Sequence, residues 1–154
     1  FNWKASAASG KLISNIYEDS RDISISMLII FPDEKTFLAD NIIEKEISLA
    51  AGIYNYYLKN NVKISLATNA IDSITSYDVC LAAYNDESNM NIILESLARI
   101  STKKLKEKIE FSDVNREDTL IIIKSAYEVK ESVKTDIDNY KNAGFDVYCI
   151  DVDG

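Results

Sequence analysis

Carboxylates are the first side chains in this sequence equipped to do chemistry: Glu44 and Glu46 stand two apart, and Asp86-Glu87 form an acidic pair. A glycoside hydrolase needs two carboxyl groups facing each other across a cleft, and nothing in this spacing brings these together. They are expected instead as a solvated face and as helix N-terminal charges that favour the macrodipole. The sequence has no His, which removes the usual general base near neutral pH and the commonest transition-metal ligand, so His-based triads are excluded. Cys80 and Cys149 lie in apolar stretches and are expected as small buried thiols, not as a nucleophile or a disulfide, in a composition that fits a reducing compartment. Lys103, Lys104, Lys106 and Lys108 form the one basic run, expected at a helix end where cations offset the negative pole. Tyr54, Tyr56 and Tyr57 suit helix–sheet packing with their hydroxyls at the rim; exposure of Tyr56 would mark a contact surface.

The elements that must position these groups belong to one domain. A chain of 154 residues, 47% hydrophobic, is long enough to bury a proper core. Its net charge of −8 opposes the phosphate backbone of nucleic acid and anionic membrane surfaces alike. The longest apolar run, Ile23 to Phe31, is interrupted by Ser24 and Ser26 and falls well short of the ~20 residues that cross a bilayer. Glycine occurs only at 10, 52, 144 and 154, so the Gly-rich dinucleotide fingerprint and the phosphate-cradling loop are both missing. The chain opens on Phe, not Met, and reads as a piece cut from a longer protein.

Periodicity alternates between strand-like and helix-like, the signature of an α/β domain with a parallel sheet and crossover helices. Ile23–Phe31 is expected as a central strand buried on both faces and stopped by Pro32. From Asp40 to Asn60, Ile43, Ile47, Ala50, Ala51, Tyr54, Tyr57 and Leu58 form a helical stripe, with Asp40 or Asn41 as the cap. Val62–Ala67 is the next strand and Tyr77–Ala83 an antiparallel edge strand, because the link between them is too brief for a helix. Ser88 to about Leu105 is expected as a helix, Thr119–Ile123 as a buried strand, and Tyr127–Ala143 as a helix with Val129, Val133, Ile137 and Tyr140 inward. Gly144 ends that helix in a left-handed turn, and Phe145–Ile150 closes the sheet.

Asn2-Trp3-Lys4-Ala5-Ser6-Ala7, Gly10-Lys11-Leu12 and Tyr17-Glu18 resemble the signature of the domain-of-unknown-function 58 family. The resemblance continues through Glu44 to Tyr57, Leu94 to Ile100 and the final strand. That family is similar to the von Willebrand factor A fold, a three-layer, doubly wound, mostly parallel sheet with ligands at the carboxyl ends of its strands. The resemblance implies one such domain over 1–154, with 1–22 as the family segment leading into it. It also implies a cytoplasmic domain, as the soluble part of a membrane-anchored protein, that works with a MoxR-type AAA+ ATPase. Ala8 stands where the family usually has Arg, and Trp3 is expected as a packing anchor.

The von Willebrand A site holds a divalent cation with Asp-x-Ser-x-Ser, a Thr from a second loop and a later Asp, the oxygen set that hard cations want. By resemblance Asp33 stands at the first ligand, but Lys35 and Phe37 replace both serines, and Lys124-Ser125-Ala126 stands where an acid is expected. No bound metal and no cofactor are expected, with an ammonium group in the region the cation fills elsewhere. The expectation is a non-catalytic protein-binding domain. Its contact loops are Pro32–Phe37 (Asp33, Glu34, Lys35, Thr36), Thr68–Ser73 (Thr68, Asn69, Asp72) and Lys124–Tyr127 (Lys124, Ser125). The competing expectation is a small-ligand-binding or hydrolytic domain using the same crevice, which requires a deep pocket near Asp33.

Overall fold

The computed structural model describes residues 24–107, 119–127 and 130–154. The opening motif with Trp3 and Ala8, Ile23, Lys108 and Val129 lie outside the described residues. Branched apolar residues form β1 (Ser24–Ile29), β2 (Lys63–Asp72) and β5 (Thr119–Ser125), and β3 (Asp78–Tyr84), β4 (Ile100–Ser101) and β6 (Asp146–Val152) complete the sheet. The strand order is β3-β2-β1-β5-β6, with β4 also paired to β2. β1–β2, β1–β5 and β5–β6 are parallel; β3 and β4 run antiparallel to β2. The result is an α/β domain with a mixed, mostly parallel sheet.

Helices α1 (Ala39–Lys59) and α2 (Met90–Ala98) cover one face, and α3 (Glu131–Asn142) the other. Alternation along the strands divides the core: Met27, Ile29, Leu66, Ile121 and Ile123 pack under α1, while Leu28, Ile30, Leu120 and Ile122 meet Ile137, Val133 and Tyr140 of α3. Each fully buried Ile or Leu side chain contributes about 1.5–3 kcal/mol. Among the described residues, no helix is long and apolar enough to cross a membrane.

Several local expectations need correction. Residues 100–101 are strand and not helix: Arg99 ends α2, its carbonyl accepts the Ser73 N–H at 2.7 Å, and pairing with Ile71 and Asp72 overrides the helical periodicity that runs on to Leu105. The basic run therefore follows a strand, and Lys106 reaches Asp78 at 2.6 Å. α1 starts one residue before Asp40, with Leu38 as its cap in the left-handed region (φ 57°) and no side-chain cap. Its buried stripe is rotated toward Ile42, Glu46, Leu49 and Ile53, with Ile43, Ile47 and Ala51 at the flank. Glu46 is consequently fully buried, not solvated, whereas Glu44 is exposed as expected. Tyr54 and Tyr57 are also buried entirely, with their hydroxyls inside the core and not at the rim. Both cysteines are exposed, because among the described residues β3 and β6 are the two edge strands and apolar neighbours in sequence do not cover an edge. α3 begins at Glu131, after an extended Lys130, instead of at Tyr127. Gly144 does take a positive φ of 92° and ends it.

Candidate functional site

β1 is where the winding of the sheet reverses: its crossover through α1 leads to β2 on one side, while β5 and β6 extend the other. In open α/β sheets the carboxyl ends of the strands part at such a point and leave a crevice. Here the crevice measures about 570 Å³. Ile30 and Phe31, just beyond β1, and Asn69 of β2 line it, with Asp33, Lys35 and Thr36 from the loop that follows. Lys124 and Ser125 enter from the end of β5, Lys106 from the segment after β4, and Lys130 and Lys134 from the start of α3.

Local chemistry fixes these walls. Ile30 N–H continues the ladder to the Ile123 carbonyl at 2.8 Å. Beyond it, the Asn69 side chain takes over from backbone pairing: its Oδ1 accepts the Phe31 N–H at 2.9 Å and its Nδ2 donates to the Phe31 carbonyl at 3.1 Å. The Asn69 carbonyl accepts the Lys106 N–H at 2.8 Å, which brings the Leu105–Glu107 segment to the rim. Asp33 Oδ1 accepts the Lys35 N–H at 2.7 Å, a turn in which the short acid satisfies its own backbone.

The charge of the crevice opposes that of the chain. Among the described residues, five lysines (35, 106, 124, 130 and 134) line it against three carboxylates, Asp33, Glu107 and Glu131, in a protein of net charge −8. Lys106 is pinned by Asp78 and Lys124 by Asp151, both from outside the crevice, and Lys134 approaches Glu131 at 4.0 Å. Among the described residues, no ion pair engages Lys35 or Lys130, and both are exposed.

The sequence-derived candidates divide accordingly. Asp33, Lys35, Thr36, Asn69, Lys124 and Ser125 come together in the crevice; Glu34, Thr68 and Asp72 do not line it. The Thr68–Ser73 stretch is strand through Asp72, not a loop, because its polar side chains find partners inside the fold. Buried Thr68 Oγ1 donates to the Val79 carbonyl at 3.1 Å and accepts the Ala70 N–H. Buried Asp72 accepts the N–H groups of Ile74 and Thr75 and pairs with Arg99 at 3.0 Å. Those backbone bonds, then the Arg99 guanidinium, hold its carboxyl below the usual range. Ser125 is buried and its Oγ accepts the Tyr127 N–H at 3.1 Å. Lys106, Lys130 and Lys134 also line the crevice; Lys106 is expected from the sequence as a helix-end cation, and no pattern in the sequence points to Lys130 or Lys134.

The residues present do not fit a divalent cation of the von Willebrand A kind. Among the described residues of the loops after β1 and β5, Asp33 is the one carboxylate that lines the crevice, and the Lys124 ammonium beside it in the lining is paired with Asp151. Among the described residues, no three His, Cys, Asp or Glu side chains converge as metal ligands. Fold and crevice together define an α/β domain with a lysine-rich cleft at the carboxyl ends of its strands. Set against known proteins, the chain matches no family model, no curated protein and no solved structure.

Proposed function

We propose that this is a non-catalytic binding domain whose crevice takes an acidic group of a protein partner, with lysine ammonium groups in the role a cation plays in von Willebrand A-like sites. The single observation that carries this is the excess of lysine over carboxylate in the crevice of a strongly acidic chain, with Lys35 and Lys130 exposed and not ion-paired among the described residues. One ammonium within 4 Å of a carboxylate contributes about 1 kcal/mol in bulk-like water and up to about 4 kcal/mol where solvent is partly excluded. The absence of His from the sequence and the engagement of Asp33 and Ser125 in turns support a binding role over acid–base chemistry. The family resemblance makes a MoxR-type AAA+ ATPase the partner to try first, with the domain in the cytoplasm.

Surface plasmon resonance against a MoxR-type AAA+ ATPase from the same organism tests the reading. The double reversal Lys35→Glu/Lys130→Glu touches two exposed side chains and should leave the circular dichroism spectrum unchanged. It should weaken binding tenfold or more, since each 1.4 kcal/mol is a factor of ten. Equal affinity of the two proteins would sink the proposal. The crevice volume also favours a second reading, a small anionic ligand, because about 570 Å³ lies in the range of small-molecule pockets. Stoichiometric heat on titrating inorganic pyrophosphate, abolished by the same double reversal, would select it.

A further inference from the structure

Exposed apolar side chains gather on the loops at the carboxyl ends of the strands, the end of the sheet that holds the crevice. Phe37 is 66% exposed and Leu38 39%, both on the β1–α1 loop; Tyr127, 39% exposed, follows β5; Ile74 and Tyr77, at 72% and 77%, cap the β2–β3 hairpin. All these loops leave the carboxyl ends of β1, β2 and β5. The other large exposed apolar residues, Tyr56, Ile92 and Leu94, are scattered on α1 and α2. Single exposed hydrophobes need no explanation, but a group at the end of the sheet that holds a charged crevice does.

Phe37 and Tyr127 are in mutual contact, with ring centroids 5.5 Å apart and planes at 87°, so an edge-to-face aromatic pair is already assembled before any partner arrives. It bridges the loop that carries Lys35 into the crevice and the turn that follows Lys124 and Ser125 at the end of β5. Leu38, next to Phe37, holds φ at 57°. For a branched, bulky side chain that conformation costs roughly 1–2 kcal/mol. Phe37 beside it stays in solvent, and aromatic burial on binding can offset such a cost.

We propose that the Phe37–Tyr127 pair seats a large apolar side chain of the partner beside the carboxylate taken by the crevice, so that the recognised segment is acidic and apolar together, not merely acidic. This rests on the crevice reading above. Charge complementarity selects the acid, and the preformed pair selects its neighbour, the arrangement of a buried aromatic anchor flanked by polar contacts. A segment with acid alone would leave Phe37 in water and gain nothing from it.

Panning a phage-displayed library of random linear peptides on the chain tests the idea. The expected winners place Asp or Glu within a residue or two of Phe, Leu, Ile or Trp. A synthetic winner should bind about tenfold more weakly to Phe37→Ser, and equally so when its own apolar residue is replaced by Ser. Phe37→Ser should melt like the parent because the ring is mostly in solvent. Acidic winners with no apolar neighbour, bound by Phe37→Ser as well as by the parent, would overturn this inference and leave the crevice reading standing. Winners lacking acids, or bound equally by Lys35→Glu/Lys130→Glu, would overturn both.

Discussion

Glu46 is the residue at which composition and position disagree most. It sits on the core-facing stripe of α1 with no exposure, and among the described residues neither carboxyl oxygen has a hydrogen-bond partner. Burial pushes its carboxyl well above the usual range. An unpaired buried polar group costs about 1–3 kcal/mol, and an apolar replacement of similar length removes that cost. Glu46→Met should therefore stabilise the fold by about 1–3 kcal/mol near neutral pH. The sign with pH follows from the raised folded value. Below the unfolded carboxyl value of about 4.3, both states hold the proton and Glu46 adds no pH dependence. As pH rises above it, the unfolded chain releases a proton that the folded chain keeps, and stability falls until the folded value is passed. Urea denaturation at about pH 4 and about pH 7 should show the larger gain for Glu46→Met at the higher pH. An equal gain at both would contradict a protonated buried acid. Tyr54 and Tyr57 share its condition: burial raises both phenols, and their hydroxyls find no partner among the described residues.

At the scale of elements, α3 is held by its end as much as by its face. Gly144 turns the chain at φ 92°, and a Cβ built there would meet nothing within 4 Å. The cost of Gly144→Ala is thus conformational, not steric, and should be about 1–2 kcal/mol in urea denaturation; no loss would mean that the turn relaxes. This turn was readable because only glycine suits it. The strands were readable for a similar reason: β1 and β5 are apolar on both faces, and nothing but the interior of a parallel sheet accounts for them. Asp33, Lys35, Lys124 and Ser125 line one crevice because the turn after a central strand is where such sheets open. The tail of β2 and the site lysines were not readable. Thr68, Asn69 and Asp72 look like a loop in sequence because their polarity is satisfied by Val79, Phe31 and Arg99, partners that only the folded chain brings near. Lys130 and Lys134 reach the crevice only because α3 starts at Glu131. Glu46 was hidden because the buried stripe of α1 shifts toward Ile42, Glu46, Leu49 and Ile53, while Ala50, Tyr54, Tyr57 and Leu58 are buried as expected.

Over the whole molecule, charge is unevenly spread. A chain of net charge −8 is on average repulsive to acidic partners, and the lysine crevice runs against that average at one end of the sheet. A partner bearing acids is then steered to that end and disfavoured elsewhere. Because Lys35 and Lys130 are solvent-exposed, the attraction should fade as the screening length shrinks from about 10 Å at 0.1 M salt to about 3 Å at 1 M. The Lys35→Glu/Lys130→Glu variant should lose this salt dependence along with its affinity.

The two edge strands carry one thiol each, Cys80 on β3 and Cys149 on β6, and both are exposed. Maleimide should therefore modify both without denaturant, and partial burial raises the Cys149 thiol, so its labelling should quicken as pH climbs. A thiol that reacts only in urea would contradict this placement. Dyes on the pair would span the full width of the sheet, making the protein its own molecular ruler: any flattening or coiling of the sheet as its cleft fills would register as a change in energy transfer between them.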